Sequence, residues 1–282
     1  MLPPLFSILI ANYNNGRFLE EAVNSIYNQS YPNWEIIIVD DCSMDNSSDI
    51  YNRLKSNSQI KIYFNEENKG VGYSKRKCIE KSTGSLCGFL DPDDTLTNNA
   101  LEQMVQAHAN HPKASLIYSK YFVCDQNLNV KYIFKNKEGF NHADPYFFNI
   151  GGYISHFATF KKEFYLKTTG IDPFLKRAAD QDLYLKLYEV GETYFLQEPL
   201  YYYRIHKAGI STLENEDKAF FWFWVIIINT AKRRGLNLED FFYENFVRKY
   251  KYDILAIEHS RLIKYQKLNN TLSKIKRIFI RK

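Results

Sequence analysis

Over the first 113 residues, short uninterrupted apolar runs alternate with stretches whose apolar residues recur at helical spacing. Residues 5–11, 34–39, 60–64 and 86–90 read as strands, and the row Ile36-Ile37-Ile38-Val39 suits a parallel strand covered on both faces. Between them, Phe18, Leu19, Ala22, Val23 and Ile26 mark one helix. Residues 48–55 and 74–81 mark two more, and Leu101, Met104, Val105 and His108 a fourth, stopped before Pro112. This rhythm predicts an α/β domain with a mostly parallel, doubly wound sheet and right-handed crossovers.

After residue 114 the rhythm changes. Residues 116–123 and 130–134 predict two strands joined by a polar turn. Residues 144–160 are aromatic and Gly-containing without a period, 182–190 predict a helix, and 194–196 and 201–205 two short strands. From residue 214 the chain reads as helical, with a break at Arg234-Gly235. The organisation expected is a domain over 1–212, with a first half (1–113) and a second half (114–212), followed by a helical region over 213–282.

Charge sharpens that division. The chain has 282 residues and a net charge of +5, but residues 247–282 hold 11 Lys and Arg against Asp253 and Glu258, a balance of +9 that leaves −4 for the rest. The basic character belongs to the tail and not to a groove, which argues against nucleic acid as a partner. In the tail, Leu272, Ile275, Ile278, Phe279 and Ile280 are interleaved with Lys274, Lys276, Arg277, Arg281 and Lys282, a pattern that suits either a solvated helix or peripheral contact with an anionic membrane. Four cysteines show no metal-ligand spacing, no leader segment is evident, and the most apolar window, 219–228, is too short to span a bilayer. The expectation is a soluble or peripheral cytoplasmic protein, at the inner face of the cell membrane if the tail docks there.

The candidate chemistry gathers at strand ends. Residues 86–90 run into Asp91-Pro92-Asp93-Asp94, three carboxylates within four positions at the carboxyl end of a buried strand. Open α/β sheets bind ligands at that end, and carboxylates joined by substrate phosphates are how Mg²⁺ or Mn²⁺ is held. The plainer alternative is a solvated acidic turn. Asp40-Asp41 ends a second strand and Asn12-Tyr13-Asn14 a first. Gly70-Val71-Gly72 is no dinucleotide fingerprint, because Lys75 stands where the third glycine would be.

Taken in order, residues 7–14 (SILIANYN), 36–43 (IIIVDDCS), Asn68 to Gly72, 89–94 (FLDPDD), 179–183 (ADQDL) and Tyr202 to His206 resemble family 2 glycosyltransferases over roughly residues 5–205. The resemblance implies a GT-A fold, an inverting transfer from a nucleotide-sugar donor (a UDP-sugar), a DxD-type site for Mn²⁺ or Mg²⁺, and a saccharide or lipid-linked saccharide as acceptor in surface polysaccharide or glycolipid assembly. It implies that Tyr13 stacks on the base and Asp41 accepts the uracil N3–H. Asp40 either orients the loop or meets the base or ribose. Arg76 matches a basic position that approaches the diphosphate, although Lys75 and Lys77 flank it where relatives carry a small residue and an Asn. Asp94 is the implied direct metal ligand, Asp93 meets the ribose or a metal, Asp91 braces the loop, and His206 reaches the metal or diphosphate. Asp180 falls at the general-base position, with Asp182 behind it; an N-cap role is the plainer reading of Asp180. His156 is a weaker acceptor-side candidate.

An inverting transfer needs no Ser, Cys or His nucleophile, and no convincing triad is present. A nucleotidyltransferase would carry a Gly-rich basic loop after the first strand, where this chain has Asn12-Tyr13-Asn14-Asn15-Gly16-Arg17. A relative that binds sugar nucleotides without catalysis is the remaining alternative, with Ala179 and Lys77 as its support.

Overall fold

The structure is a computed structural model that describes residues 3–136, 144–206, 209, 215–245 and 249–280. It divides into two compact units, one up to Gly235 and one from Leu236 onward.

The first unit is built on one mixed sheet. Strands β1 (Phe6–Asn12), β2 (Trp34–Asp40), β3 (Ile60–Phe64) and β4 (Leu86–Phe89) are parallel, in the order β3-β2-β1-β4. Helices α1 (Gly16–Tyr27), α2 (Ser47–Leu54) and α3 (Val71–Lys81) form the crossovers. The short β5 (Thr95–Leu96) and helix α4 (Ala100–Asn110) lead into β6 (Ala114–Cys124), whose edge carries β7 (Val130–Ile133). Beyond β4 the sheet continues through β8 (Ala158–Lys161), antiparallel to both β4 and β6. Then come β6, β9 (Glu192–Arg204) and β5. The short α5 (Lys162–Tyr165), then α6 (Ala179–Tyr188), and finally α7 (Glu216–Arg234) complete the unit.

The uninterrupted apolar strands are explained by a core on each face. Ile8, Ile10, Ile36 and Ile38 face Leu19, Val23 and Ile26 of α1 together with Ile50 and Leu54 of α2. Their chain neighbours Leu9, Ile37 and Val39 face Cys78 and Ile79 of α3 and Leu183, Leu185 and Leu187 of α6. Successive strand side chains point to opposite faces, so both faces must be apolar when helices cover both.

Three features differ from the sequence expectation. The stretch 144–160 conceals β8, because four residues wedged between β4 and β6 need no alternation when both faces are buried. The two short strands expected over 194–205 are one strand, β9, whose register against β6 shifts opposite Pro199, a residue with no N–H to give the ladder. Helix α7, expected in a separate C-terminal region, belongs to the first unit, with Ile226, Ile227 and Ala231 buried. Residue 214, where the helical stretch was expected to begin, lies outside the described residues.

In the second unit, α8 (Glu239–Asn245) precedes α9 (Lys249–Ile280), on which Ile254, Leu255, Ile257, Leu262, Tyr265 and Leu268 are exposed. Side chains from residue 270 onward, which include the interleaved tail, lie outside the described residues. No helix among the described residues is long and apolar enough to cross a membrane.

Candidate active site

The carboxyl ends of β1, β2 and β4 open on a cleft of about 900 Å³, closed on the other side by the loop around Gly151 and by the start of α6. Tyr13, Asp41, Gly70, Lys75, Asp91, Asp93, Asp94, His156 and Asp180 all line it.

At the β1–β2 end, Tyr13 is 42% exposed just past β1. Asp41 is buried, and both of its oxygens accept hydrogen bonds: from Asn65 Nδ2 (2.7 Å), Lys69 N (2.9 Å) and Gly70 N (2.7 Å). Gly70 takes a positive φ of 93°, which a glycine accommodates without a Cβ penalty, and α3 starts at the next residue. The carboxylate thus ties a glycine turn to the sheet edge. That tie brings the helix in three residues earlier than the sequence pattern indicates.

Asp40 turns the other way. Its carboxylate accepts hydrogen bonds from Tyr51 Oη, Asn12 Nδ2 and Ser43 N, so it orients the loop and does not line the cleft. Asn12 joins the same knot, donating to Ser47 Oγ (2.9 Å) and Tyr51 Oη (2.8 Å). A buried Asn ending an apolar strand was the signal for it.

The basic position on α3 is also corrected. Arg76 points away from the cleft, with Nε on Glu80 (3.0 Å) and Nη1 on the carbonyls of Thr169 (3.3 Å) and Ile171 (3.2 Å). Lys75 enters the cleft instead. Its ammonium is 2.9 Å from Asp91 Oδ1 and 2.7 Å from Asp180 Oδ1. The physical reason is helical phase: Val71, Lys75, Cys78 and Ile79 share one stripe, and a shift of one residue rotates a side chain by about 100°. Burial opposes the charge on Lys75, but the Asp180 and Asp91 carboxylates overcome it and hold its pKa above the usual lysine range.

The acidic tip is divided among several partners. Asp91 binds Lys75; burial opposes its charge, but Lys75, through charge and hydrogen bond, together with His156 holds its carboxyl below the usual range. Asp94 is buried, accepting from Tyr201 Oη (2.7 Å) and from Arg204 N (2.7 Å). Burial, then the charges of Asp93 and Asp91, push its carboxyl well above the usual range. The expected direct ligand therefore sits in the cleft wall with both oxygens engaged. Asp93 is the more open carboxylate, 2.8 Å from His206 Nε2. The His206 ring packs on Phe18 (4.9 Å) and its Nδ1 lies 3.3 Å from Arg17 Nη2.

Among the described residues, no three carboxylate, imidazole or thiol groups meet as a ready-made metal cage. The donor set nonetheless fits a hard divalent cation: a carboxylate and an imidazole side by side, with two further carboxylates whose mutual repulsion a cation would relieve. Magnesium-type sites characteristically use one or two carboxylates and take the rest from phosphates.

Asp180 is the second residue of α6, and the capping residue is Ala178, which has a left-handed backbone. Its carboxylate faces the cleft. Asp182 does not: it is buried, accepting from Asp172 N (2.8 Å) and Lys186 Nζ (2.7 Å). The two acids lie on different faces because they are two residues apart on a helix. His156 lies over Tyr201 (4.9 Å) and Tyr203 (5.4 Å), and burial keeps its pKa below the usual value.

The family profile described as glycosyl transferase family 2 matches residues 7–168, more than half of the chain. The putative teichuronic acid biosynthesis glycosyltransferase TuaG of Bacillus subtilis is 38% identical over 104 residues, 36% of this chain and 41% of that protein. Chondroitin synthase of Pasteurella multocida is 26% identical over 267 residues, 90% of this chain and 26% of that protein. The chain thus spans less than half the length of these two relatives. Among solved structures, Staphylococcus aureus TarS 1–349 in complex with UDP-GlcNAc superposes with a TM-score of 0.64 at 20% identity, over 78% of this chain and 65% of that one. The mannosyltransferase PcManGT of Pyrobaculum calidifontis, in complex with GDP-Man and Mn²⁺, gives 0.57 at 13% identity, over 93% and 81%. These likenesses establish the GT-A type of fold. With the profile match, they place this chain in glycosyl transferase family 2.

Proposed function

We propose that this chain transfers a sugar from a UDP-linked donor to an acceptor hydroxyl, with inversion at the anomeric carbon. The observation that carries the reading is Asp180: a carboxylate lining the same cleft as the Asp91–Asp94 tip and the Tyr13–Asp41 edge, joined to Asp91 through Lys75. A UDP donor is supported by the complex of the structural neighbour TarS with UDP-GlcNAc.

In this reading the base stacks on Tyr13 and its N3–H is accepted by Asp41, in exchange for part of that carboxylate's hold on the Gly70 turn. The diphosphate lies toward Asp91–Asp94, and the sugar toward Asp180. The Asp180 carboxylate accepts the proton of the acceptor hydroxyl as its oxygen forms a bond to the anomeric carbon. The bond from that carbon to the diphosphate oxygen breaks, and UDP leaves. Lys75 positions Asp180 and supplies positive charge beside the departing diphosphate. Mn²⁺ or Mg²⁺, held by Asp93 and His206 with Asp94 behind them, would neutralise the charge that develops on the leaving group. The presence of Mn²⁺ in the complex of PcManGT supports that assignment.

Surface polysaccharide or glycolipid assembly is the setting that the TuaG and chondroitin synthase similarities favour. The basic tail, with the exposed apolar residues of α9 before it, fits docking on an anionic membrane that carries a lipid-linked acceptor. The donor reading is tested by thermal shift against UDP, GDP, CDP and their sugar conjugates, with and without Mn²⁺. UDP with Mn²⁺ should raise Tm in proportion to the logarithm of its concentration. Equal shifts for every nucleotide, or none, would contradict it.

A further inference from the structure

The cleft has a second end that the donor does not need. The nucleotide half lies on β3, β2 and β1; in sheet order, β6 and β9 come after β4 and β8. Their cleft-lining residues are Tyr121, Tyr203 and Arg204, two of them aromatic. Tyr121 stacks on Phe134 (4.8 Å) and meets Tyr203 edge-on (5.8 Å), and His156 lies flat on Tyr203. Helix α7 adds one face to this wall: Glu216, Ala219, Phe220 and Phe223, at the spacing that aligns side chains along a helix. Farther along the helix, Trp224, Ile226, Ile227 and Ala231 are buried and anchor its C-terminal half.

Folding alone does not account for the cleft face. Phe220 is 50% exposed in the wall of the cleft, so burial in the core does not explain its place there. Its ring meets the buried Trp224 edge-on (6.3 Å between centroids, 85° between planes). One turn earlier stands the exposed carboxylate of Glu216. An exposed aromatic face beside a carboxylate matches a pyranose, which has an apolar C–H face and a rim of hydroxyl donors. Helix α7 lies beyond residue 168, where the family profile ends.

We propose that Glu216, Phe220 and Phe223 form the platform for the sugar ring of the acceptor, with Phe220 under its C–H face and Glu216 accepting from its hydroxyls. This rests on the donor reading given above. It makes the acceptor a saccharide at its reactive end, whatever that saccharide is attached to.

The test uses the full chain with UDP and Mn²⁺ and a panel of methyl hexosides and methyl N-acetylhexosaminides, read by saturation-transfer NMR. At least one glycoside should bind saturably, with the strongest transfer to protons on a single face of the ring. Phe220→Ala with Phe223→Ala should weaken that binding about tenfold or more. Phe220→Trp should retain it, and Phe221→Ala, which alters the exposed neighbour outside this face, should leave it unchanged. UDP-dependent thermal stabilisation should be the same in all variants. If the parent binds UDP but no glycoside, or if the double variant binds glycoside as the parent does, the platform is refuted and the donor reading stands. If UDP does not stabilise the parent, the donor reading fails and takes the platform with it.

Discussion

At the scale of single residues, two buried charge sites make separate predictions. Lys75 neutralises Asp91 and Asp180 together, so Lys75→Met leaves two carboxylates facing each other without a counter-charge. Removing one partner of a buried ion pair costs about 3–5 kcal/mol, and the partial exposure of the two acids puts this site at the lower end. Urea unfolding should show that loss, and the loss should shrink in an Asp180→Asn background because one of the repelling charges is gone. An additive double variant would mean that the two side chains do not interact. His108, on α4, has its Nε2 3.0 Å from Thr159 Oγ1, and burial, then the charge of Lys161, lowers its pKa to about 3. The unfolded imidazole takes up a proton below about pH 6.5 and the folded one does not, so this contribution is present above that pH and is lost as pH falls toward 3. Between pH 7 and pH 5 the parent should lose about 2 kcal/mol more stability than His108→Leu, measured by urea unfolding at each pH. Parallel pH dependences would show that His108 is not the group responsible. Lys75 was half legible in the sequence. The run Lys75-Arg76-Lys77 was visible, but choosing the inward member required the apolar stripe of Val71, Cys78 and Ile79, and the family pattern directed attention one residue too far.

At the scale of elements, α6 separates two acids that sequence spacing leaves as rivals. Asp180→Asn keeps the shape of the side chain but removes the proton acceptor, so turnover should fall by about 10²–10⁴ with UDP affinity unchanged. Asp182→Asn weakens the hold on Lys186 and on the backbone of Asp172, so it should lower Tm while leaving turnover near the parent value. Steady-state rates beside UDP titrations of both variants distinguish the two roles, and a larger rate loss in Asp182→Asn would move the base. The elements themselves divide into those that announce themselves and those that do not. Strands β1 and β2 were plain because both faces are covered and the apolar row is unbroken. The amphipathic α1 was equally plain from its single stripe. Strand β8 was hidden because it is four residues long inside an aromatic stretch, and its identity depends on β4 and β6, which the local sequence does not encode. The single β9 was hidden because Pro199 reads as a break, whereas in the sheet it sits at a register shift.

At the scale of the whole molecule, the order of motifs along the chain was informative because a parallel sheet brings the carboxyl ends of distant strands to one edge. That is why Tyr13, Asp41 and Asp91–Asp94, which no local pattern joins, line one cleft. The division of labour among the three acids depends on partners that come from β9, Tyr201 and Arg204, and was invisible until that strand was placed. The tail makes its own prediction: the chain should co-sediment with anionic vesicles and not with neutral ones, and added salt should release it. Each basic residue near the surface contributes about 1 kcal/mol, so deleting residues 269–282, with Lys274, Lys276, Arg277, Arg281 and Lys282, should abolish binding. Binding that persists after the deletion would remove the tail from the account. The central claim is that one cleft binds a UDP-sugar with a divalent cation and breaks its anomeric bond. The most direct measurement is UDP release from a panel of UDP-hexoses and UDP-N-acetylhexosamines, with Mn²⁺ and with chelator, for the parent and for Asp93→Ala. The parent should release UDP from at least one donor, chelator should abolish that release, and Asp93→Ala should lose it to a similar extent. No release from any donor, or undiminished release by Asp93→Ala, would contradict that claim.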